Sequence, residues 1–371
     1  MTDIGIGIVG GGYMGKAHAV AMAAVGAVFE TRLRPRLEMV CATSAESAER
    51  YRSAYGFRRA TSDWRELVSD PAVGAVIIAS PQDTHRDIAL AAIAIGKPVL
   101  CEKPMGVSLE EALEMTEAAE AAGVVNMVGY NYIRTPATQF ARKLIADGEI
   151  GDIVWYRGEH TEDFLADPEK PSNWRTRDWA SGNMGDLAPH PVNAALALAG
   201  SIEAVNGFWQ TVIKERPGRD GPEAVTNDDQ SQMMIRFANG AMGHIFSSRI
   251  SHGRKMGYAY EITGTKGAIR FDQEDQNSIW LYRARGPEAE RGFVKILAGP
   301  AHPDFLPFCQ GAGHGTGYQD QIIIEAKDFL SAIESGKAVW PKFRDGLEVL
   351  KVTAACTKSH ETGSWQAVSD N

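Results

Sequence analysis

The chain has 371 residues, with 38 Lys+Arg against 47 Asp+Glu, a formal net charge of −9, 44% hydrophobic and 23% charged residues. At roughly 150 residues per domain the length suggests two domains, and the composition of an ordinary globular protein excludes intrinsic disorder and a disulfide-stapled scaffold. The negative charge also speaks against a nucleic-acid partner, whose binders carry a basic face.

In chain order, apolar runs at 6–9, 37–42, 75–79, 99–101 and 124–128 read as strands, with a weak further one near 57–60. Stretches 15–25, 45–55, 85–95 and 109–121 read as the helices between them. Strands that are apolar on both faces and alternate with helices imply a parallel sheet covered on both sides. The first part is therefore expected to be an α/β, doubly wound domain of the Rossmann type. The first strand starts with no basic leader and apolar core before it. No apolar run approaches the ~20 residues that span a bilayer. A cytoplasmic location and no membrane partner are expected. Cys41, Cys101, Cys309 and Cys356 form no CxxC pair, and the histidines make no HxxxH or HExxH pair, so inert thiols and no metal are expected.

Directly after the first strand comes Gly10-Gly11-Gly12-Tyr13-Met14-Gly15, opening a helix. In such a GxGxxG element the first glycine permits the turn, the second lets a pyrophosphate approach, and the third lets helix and strand pack closely. The helix N-terminus adds unpaired N–H groups and a partial positive charge. A dinucleotide is the expected ligand. The second strand ends in Ala42-Thr43-Ser44-Ala45-Glu46, with neither an Asp for a ribose 2′-OH nor an Arg for a 2′-phosphate at its tip. Ser44 is placed to bond a ribose hydroxyl or a phosphate, or only to cap the next helix. Glu46 disfavours an extra phosphate, which points to NAD and leaves NADP open.

Beyond about residue 150 the texture changes. Segments 205–214, 231–237, 241–248, 258–263, 268–271 and 278–282 are strand-like, with turn signals at Asn239-Gly240 and 264–267 between neighbours, and helical stretches 320–335 and 343–360 close the chain. This predicts an α+β domain built on a large, open, mostly antiparallel sheet. The expected organisation is a nucleotide-binding domain over 1–130 and a substrate-binding and oligomerisation domain over 131–371. An open sheet needs a cover, so a homodimer or homotetramer through that sheet is expected. Segment 168–179, with Trp174 and Arg175, reads as a long structureless loop, and such loops are often functional. Trp174 could stack on a sugar-like ring or on a nicotinamide. His314, in Gly311-Ala312-Gly313-His314-Gly315, is a candidate substrate partner, whereas His244 and His252 lie in or beside sheet strands and are expected to have no catalytic part.

Three further elements carry a resemblance. Val76-Ile77-Ile78-Ala79-Ser80-Pro81 followed by Thr84-His85, then Glu102-Lys103-Pro104, then Gly185-Asp186 with His190 four residues after the aspartate, together resemble the motifs of the Gfo/Idh/MocA oxidoreductases, in order and along the whole chain. The resemblance implies that Lys103 and His190 meet at the nicotinamide. Lys103 would donate to the reacting hydroxyl and stabilise the developing alkoxide, and His190 would be the general base. Asp186 would orient His190 or hold a second substrate hydroxyl, the spacing of four placing the two on one face of a helical turn. It implies a cis bond before Pro104 and cofactor contacts from Gly10, Gly12, Tyr13, Met14, Gly15, Ser44, Ser80, Pro81, Thr84, His85, Glu102, Lys103 and Asn131. Substrate contacts would come from Lys103, Tyr132, Trp174, Asp186, His190 and His314. Asn193 stands where many relatives carry another Asp. The implied activity is NAD(P)-dependent oxidation of a ring hydroxyl of a sugar, inositol or related cyclic polyol. A NADPH-dependent keto-sugar reductase, an NAD-retaining glycosidase and a nucleotide-binding sensor are the alternatives.

Overall fold

The structure is a computed structural model that describes residues 2–308 and 311–368; Cys309 lies outside the described residues. Its strands are β1 (Thr2–Val9), β2 (Leu33–Cys41), β3 (Arg59–Thr61), β4 (Ala75–Ile78), β5 (Val99–Glu102), β6 (Asn126–Gly129), β7 (Ile153–Thr161), β8 (Ile202–Gln210), β9 (Glu215–Gly218), β10 (Gly221–Ala224), β11 (Gln230–Phe237), β12 (Met242–Ser248), β13 (Gly257–Gly264), β14 (Gly267–Asp272), β15 (Ser278–Arg283), β16 (Val294–Leu297) and β17 (Gln366–Ala367). Its helices are α1 (Tyr13–Val28), α2 (Ala45–Tyr55), α3 (Trp64–Ser69), α4 (His85–Ala94), α5 (Leu109–Ala122), α6 (Pro136–Ala146), α7 (Asn183–Asp186), α8 (Pro189–Leu198), α9 (Tyr318–Ser335) and α10 (Phe343–Thr362). Among the described residues no helix is long and apolar enough to cross a membrane.

The chain forms two compact units, 1–134 with 316–347, and 135–315 with 348–371. A single passage near residue 130 was the expectation. Instead the chain passes three times, and α9 belongs with the first unit, where it packs along α1. The physical reason is the apolar face of α9, whose Ile322, Ile324, Phe329 and Leu330 are buried.

The first unit is a parallel sheet in the order β3-β2-β1-β4-β5-β6. Every residue of β4, β5 and β6 is buried, which is why those strands read as short continuous apolar runs. The order reverses between β1 and β4, so the carboxyl ends of these strands form the topological switch point where ligands bind in such sheets.

The second unit holds a nine-stranded sheet, β16-β15-β14-β13-β7-β12-β11-β8-β17, antiparallel except where β7 runs parallel to β12. Its inner face is covered by α8 on β7 and β13 and by α6 on β14 and β15. Strand β7, central in this sheet, escaped the sequence pattern. It alternates buried Tyr156, Gly158 and His160 with half-exposed Trp155, Arg157 and Glu159, so its inward set is polar or small. A Cβ at Gly158 would stand 3.1 Å from the Pro191 side chain, so glycine here lets α8 approach.

Candidate active site

In the first unit the glycine-rich turn occupies the tip of β1. Gly10 has φ +99°, and a Cβ there would meet the Ala79 carbonyl oxygen at 2.3 Å. A Cβ on Gly15 would fall 1.9 Å from the Gly10 carbonyl oxygen. Both are glycines for the protein's own sake. Gly12 differs: its φ is −70° and an added Cβ would meet no heavy atom within 4 Å. No left-handed backbone and no packing neighbour require glycine there; as the N-cap of α1 it leaves the space before the helix open to an approaching ligand. Helix α1 opens at Gly12 with no side-chain cap and no acidic residue in its first turn, which leaves its N–H groups for an anion. The chain therefore fits a dinucleotide pyrophosphate at this turn.

The other predicted cofactor residues of this unit group around the turn or hold its loops. Tyr13 is exposed, its ring 6.0 Å from that of Tyr318, and the Tyr318 hydroxyl reaches the Met14 sulfur at 3.4 Å. Tyr132 lies 6.1 Å from the same Tyr318 ring. Ser44 Oγ accepts from the Ser47 N–H at 3.2 Å and so caps α2. Ser80 and Thr84 share a hydroxyl contact of 2.6 Å, and Thr84 also donates to the Pro81 carbonyl. His85 is buried, with Nδ1 3.0 Å from the Pro104 carbonyl oxygen and Nε2 2.9 Å from that of Ser80. Burial lowers its pKa, against the two carbonyls, which raise it. Its ring ties the loop after β4 to the loop after β5, with a backbone carbonyl at hydrogen-bond distance from each nitrogen. The Lys103–Pro104 bond is cis.

Behind Lys103, Glu102 Oε1 meets His18 Nε2 of α1 at 2.7 Å in the interior. Buried Asn131 donates through Nδ2 to Gln321 of α9 at 3.1 Å. Glu325, one helical turn after Gln321, is fully buried, and neither of its carboxylate oxygens has a hydrogen-bond partner among the described residues. Burial raises its pKa to about 7, the charge of His18 opposing and that of Glu102 adding. Glu102 stands in a recognisable motif, whereas His18 and Glu325 lie in helices whose local sequence carries no signal of this cluster.

In the second unit, Asp186 and His190 do not share one helix. Asp186 ends α7 and His190 is the second residue of α8. Pro189 has no N–H to continue the ladder, so a new helix starts with proline in its first turn. Gly185 allows α7 to close on the preceding turn, since its Cβ would meet the Ala180 carbonyl oxygen at 2.2 Å. His190 is buried, and its ring stands edge-on to His160 of β7 at 5.2 Å. His160 lies 3.1 Å from the Leu187 carbonyl oxygen through Nδ1 and 3.0 Å from Glu162 Oε1 through Nε2, bracing the α7–α8 junction. Asn193 is buried, and neither amide atom has a hydrogen-bond partner among the described residues.

Asp186 Oδ2 accepts from Arg175 Nη1 at 2.9 Å. The segment carrying Arg175 is not structureless. It holds two short 3₁₀ turns, Trp174–Thr176 and Trp179–Ser181, the first closed by an Asn173–Thr176 capping box. A buried polar bracket grips it: Arg249 Nη1 donates to the Arg175 and Ser181 carbonyls, and Asn227 Nδ2 donates to those of Arg175 and Asp178. Arg249 Nε also pairs with Asp229 at 3.1 Å. Asp228 accepts from the Met184 N–H at 3.0 Å and from Asn183 Nδ2 at 3.2 Å, capping α7 from outside. Burial raises its pKa to about 6. The only local signal for this bracket was the run Asn227-Asp228-Asp229 immediately before an apolar-alternating strand. Trp174 is exposed, and His314 is exposed in its glycine-rich run. Among the described residues no cluster of three or more His, Cys, Asp or Glu is arranged for a metal.

These motifs have counterparts in known proteins. The profile of the oxidoreductase family with the NAD-binding Rossmann fold matches residues 4–130, and that of the GFO/IDH/MocA C-terminal domain matches 138–270. The chain is 38% identical to levoglucosan dehydrogenase of Pseudarthrobacter phenanthrenivorans, over 98% of each protein. It is 28% identical to scyllo-inositol 2-dehydrogenase (NAD(+)) of Bacillus subtilis, over 85% of this chain and 84% of that one. A solved structure of levoglucosan dehydrogenase in complex with NADH and levoglucosan superposes with a TM-score of 0.96 at 38% identity, covering 99% of this chain and all of the other.

Proposed function

The chain belongs to the GFO/IDH/MocA oxidoreductase family, and from that premise we propose that it is an NAD-dependent dehydrogenase of a ring hydroxyl on a neutral sugar, anhydrosugar, inositol or related cyclic polyol. The observation that carries this reading is Gly12, a glycine that the protein's own packing and backbone do not need, at the open N-terminus of α1. Gly10 and Gly15 shape the turn, and with Gly12 they would hold the pyrophosphate, with Tyr13 and Met14 beside it. When bound there, NAD supplies the carbon that accepts the hydride. Lys103 donates a hydrogen bond to the reacting hydroxyl oxygen and stabilises the negative charge that grows on it. The His190 imidazole takes the hydroxyl proton as the carbon gives up its hydride, so the alcohol becomes a ketone and one proton is released. Asp186 binds a neighbouring substrate hydroxyl. The levoglucosan and inositol dehydrogenases among the relatives support this substrate class.

The proposed partner at the second unit is another copy of the chain. The outward face of the nine-stranded sheet carries Phe208, Met234 and Met242 exposed, with Trp155 and Phe246 beside them in register. A single-layer sheet face that exposes these apolar side chains among charged ones such as Arg157 and Glu261 suits a symmetric interface, and light scattering of the purified protein measures it.

The activity test is the reduced-nicotinamide absorbance band on adding NAD to the protein with levoglucosan, myo-inositol or scyllo-inositol. Accumulating NADH supports the dehydrogenase. Glycosidic cleavage without net NADH indicates a glycosidase, reduction of keto-sugars by NADPH alone a reductase, and tight nucleotide binding with no reaction a sensor.

A further inference from the structure

We infer that Arg175 is a substrate-positioning residue, forming with Asp186 a donor–acceptor pair that grips two adjacent oxygens of an uncharged polyol. The inference rests on the polyol reading above. It starts from the geometry of one side chain. Arg175 Nη1 donates to Asp186 Oδ2 at 2.9 Å, and its guanidinium carbon stands 4.3 Å from the Trp174 ring centroid and 5.7 Å from that of Phe164. Two aromatic rings therefore set the guanidinium plane, and one carboxylate sets its direction. A guanidinium has five N–H donors. The Arg175 side chain spends one on Asp186, and it is 39% exposed against 21% for Asp186. A five-donor fork therefore stands, part-exposed, beside a part-exposed carboxylate.

A merely structural salt bridge on a surface loop would not need the support this one has. Arg249, Asn227 and Asp229 are all buried, and Arg249 and Asn227 hold the Arg175 carbonyl at 2.7 and 2.9 Å. Asn227 Oδ1 accepts from Arg249 Nη2 at 2.6 Å, so the two bracket residues fix each other. Such a bracket costs desolvation of a charge pair, and its outcome is that Arg175 is presented in one place. The charges of Arg175 and Asp186 cancel, so the pair has no net preference for an anion. What it matches is a hydroxyl that donates to Asp186 next to an ether or hydroxyl oxygen that accepts from Arg175.

The experiment compares the full-length wild type with Arg175→Ala, Arg175→Lys and Asn227→Ala, using NAD with levoglucosan and with myo-inositol, and NADH titration by fluorescence. Loss of one charge-assisted contact to the polyol should raise its KM in Arg175→Ala by about tenfold or more. The expected kcat stays within about threefold, and the NADH dissociation constant within about twofold. Arg175→Lys, which keeps the charge but loses the fork, should recover part of that KM. Asn227→Ala should shift KM in the same direction by less. An unchanged KM in Arg175→Ala, or a fall in kcat at constant KM, overturns the inference while leaving the dehydrogenase intact. Should Arg175→Ala lose thermal stability, Arg175→Lys decides by the same criterion at wild-type Tm. A wild type that neither turns over nor binds either polyol overturns the polyol reading itself, and this inference with it.

Discussion

His18 and Glu102 meet at 2.7 Å inside the first unit, so the acid that immediately precedes Lys103 is buried against an imidazole from α1. Burial by itself lowers the His18 pKa, but the hydrogen bond and charge of Glu102, with the charge of Glu325, overcome it and hold His18 above its usual 6.5. A buried pair of this kind is costly to break from one side, because the remaining charge has no compensation. His18→Ala should lower unfolding stability by about 3–5 kcal/mol, measured by denaturant titration. A loss under about 1 kcal/mol would mean that the pair carries no charge.

The same cluster makes stability depend on pH. The groups facing Glu325 are His18 from α1, Glu102 from β5, Arg134 after β6, and Asp328 of its own helix. Its folded pKa of about 7 lies above the usual 4.5, so the native state favours the protonated acid. Below pH 4.5 both states are protonated and nothing is lost; above about 7 the native state must bury a carboxylate, at about 3 kcal/mol. His18, with a raised pKa, contributes stability that is complete below pH 6.5 and lost as pH rises through its folded value. Both signs agree. Wild-type stability should fall between pH 5 and pH 8, and Glu325→Gln should remove about 2–3 kcal/mol of that fall. A pH-independent difference between the two proteins contradicts the assignment.

Gly12→Ala separates ligand from scaffold. Its Cβ meets no protein atom within 4 Å, so thermal stability should hold. Affinity for NADH should drop by about tenfold or more as the methyl group intrudes on the pyrophosphate. Gly15→Ala is the control, since its Cβ would fall 1.9 Å from the Gly10 carbonyl oxygen and should cost stability as well.

Lys103→Ala and His190→Ala test the chemistry. Each should lower kcat by about a hundredfold or more, while the NADH dissociation constant stays near wild type. Near-normal turnover in either variant would remove that residue from the mechanism.

Asp228 tests the scaffold under Asp186. Asp228→Ala leaves the Met184 N–H without its acceptor and takes from the Asn183 amide one of its two, the other being Ser231 Oγ, and should cost about 1–3 kcal/mol, read from Tm, together with a several-fold fall in kcat/KM. Asp228→Asn keeps an acceptor oxygen and removes the buried charge whose pKa burial raises to about 6. It should stay close to wild type in stability.

Local chemistry accounts for how much of this could be read without coordinates. The turn Gly10–Gly15, the strands β1, β4, β5 and β6 and helices such as α2 are set by short-range spacing, apolar runs and caps, so they are visible in a few adjacent residues. Strand β7 was not, because its central position asks for the small and polar inward residues Gly158 and His160. The spacing of four between Asp186 and His190 suggests one helical face, but Pro189 divides them between two helices.

Taken alone, the order and spacing of the residues determined the two sheet types, the nucleotide turn and the chemical types at Lys103, Asp186 and His190. Packing decided the rest. Only the folded chain places α9 beside α1, so that Glu325 comes to share a buried space with His18 and Glu102. Only it brings Arg249 and Asn227 under the Arg175 carbonyl, across sequence separations of 74 and 52 residues. A hydrogen bond over such a distance leaves no periodic trace in the sequence, because its partners are chosen by burial and not by neighbouring positions along the chain.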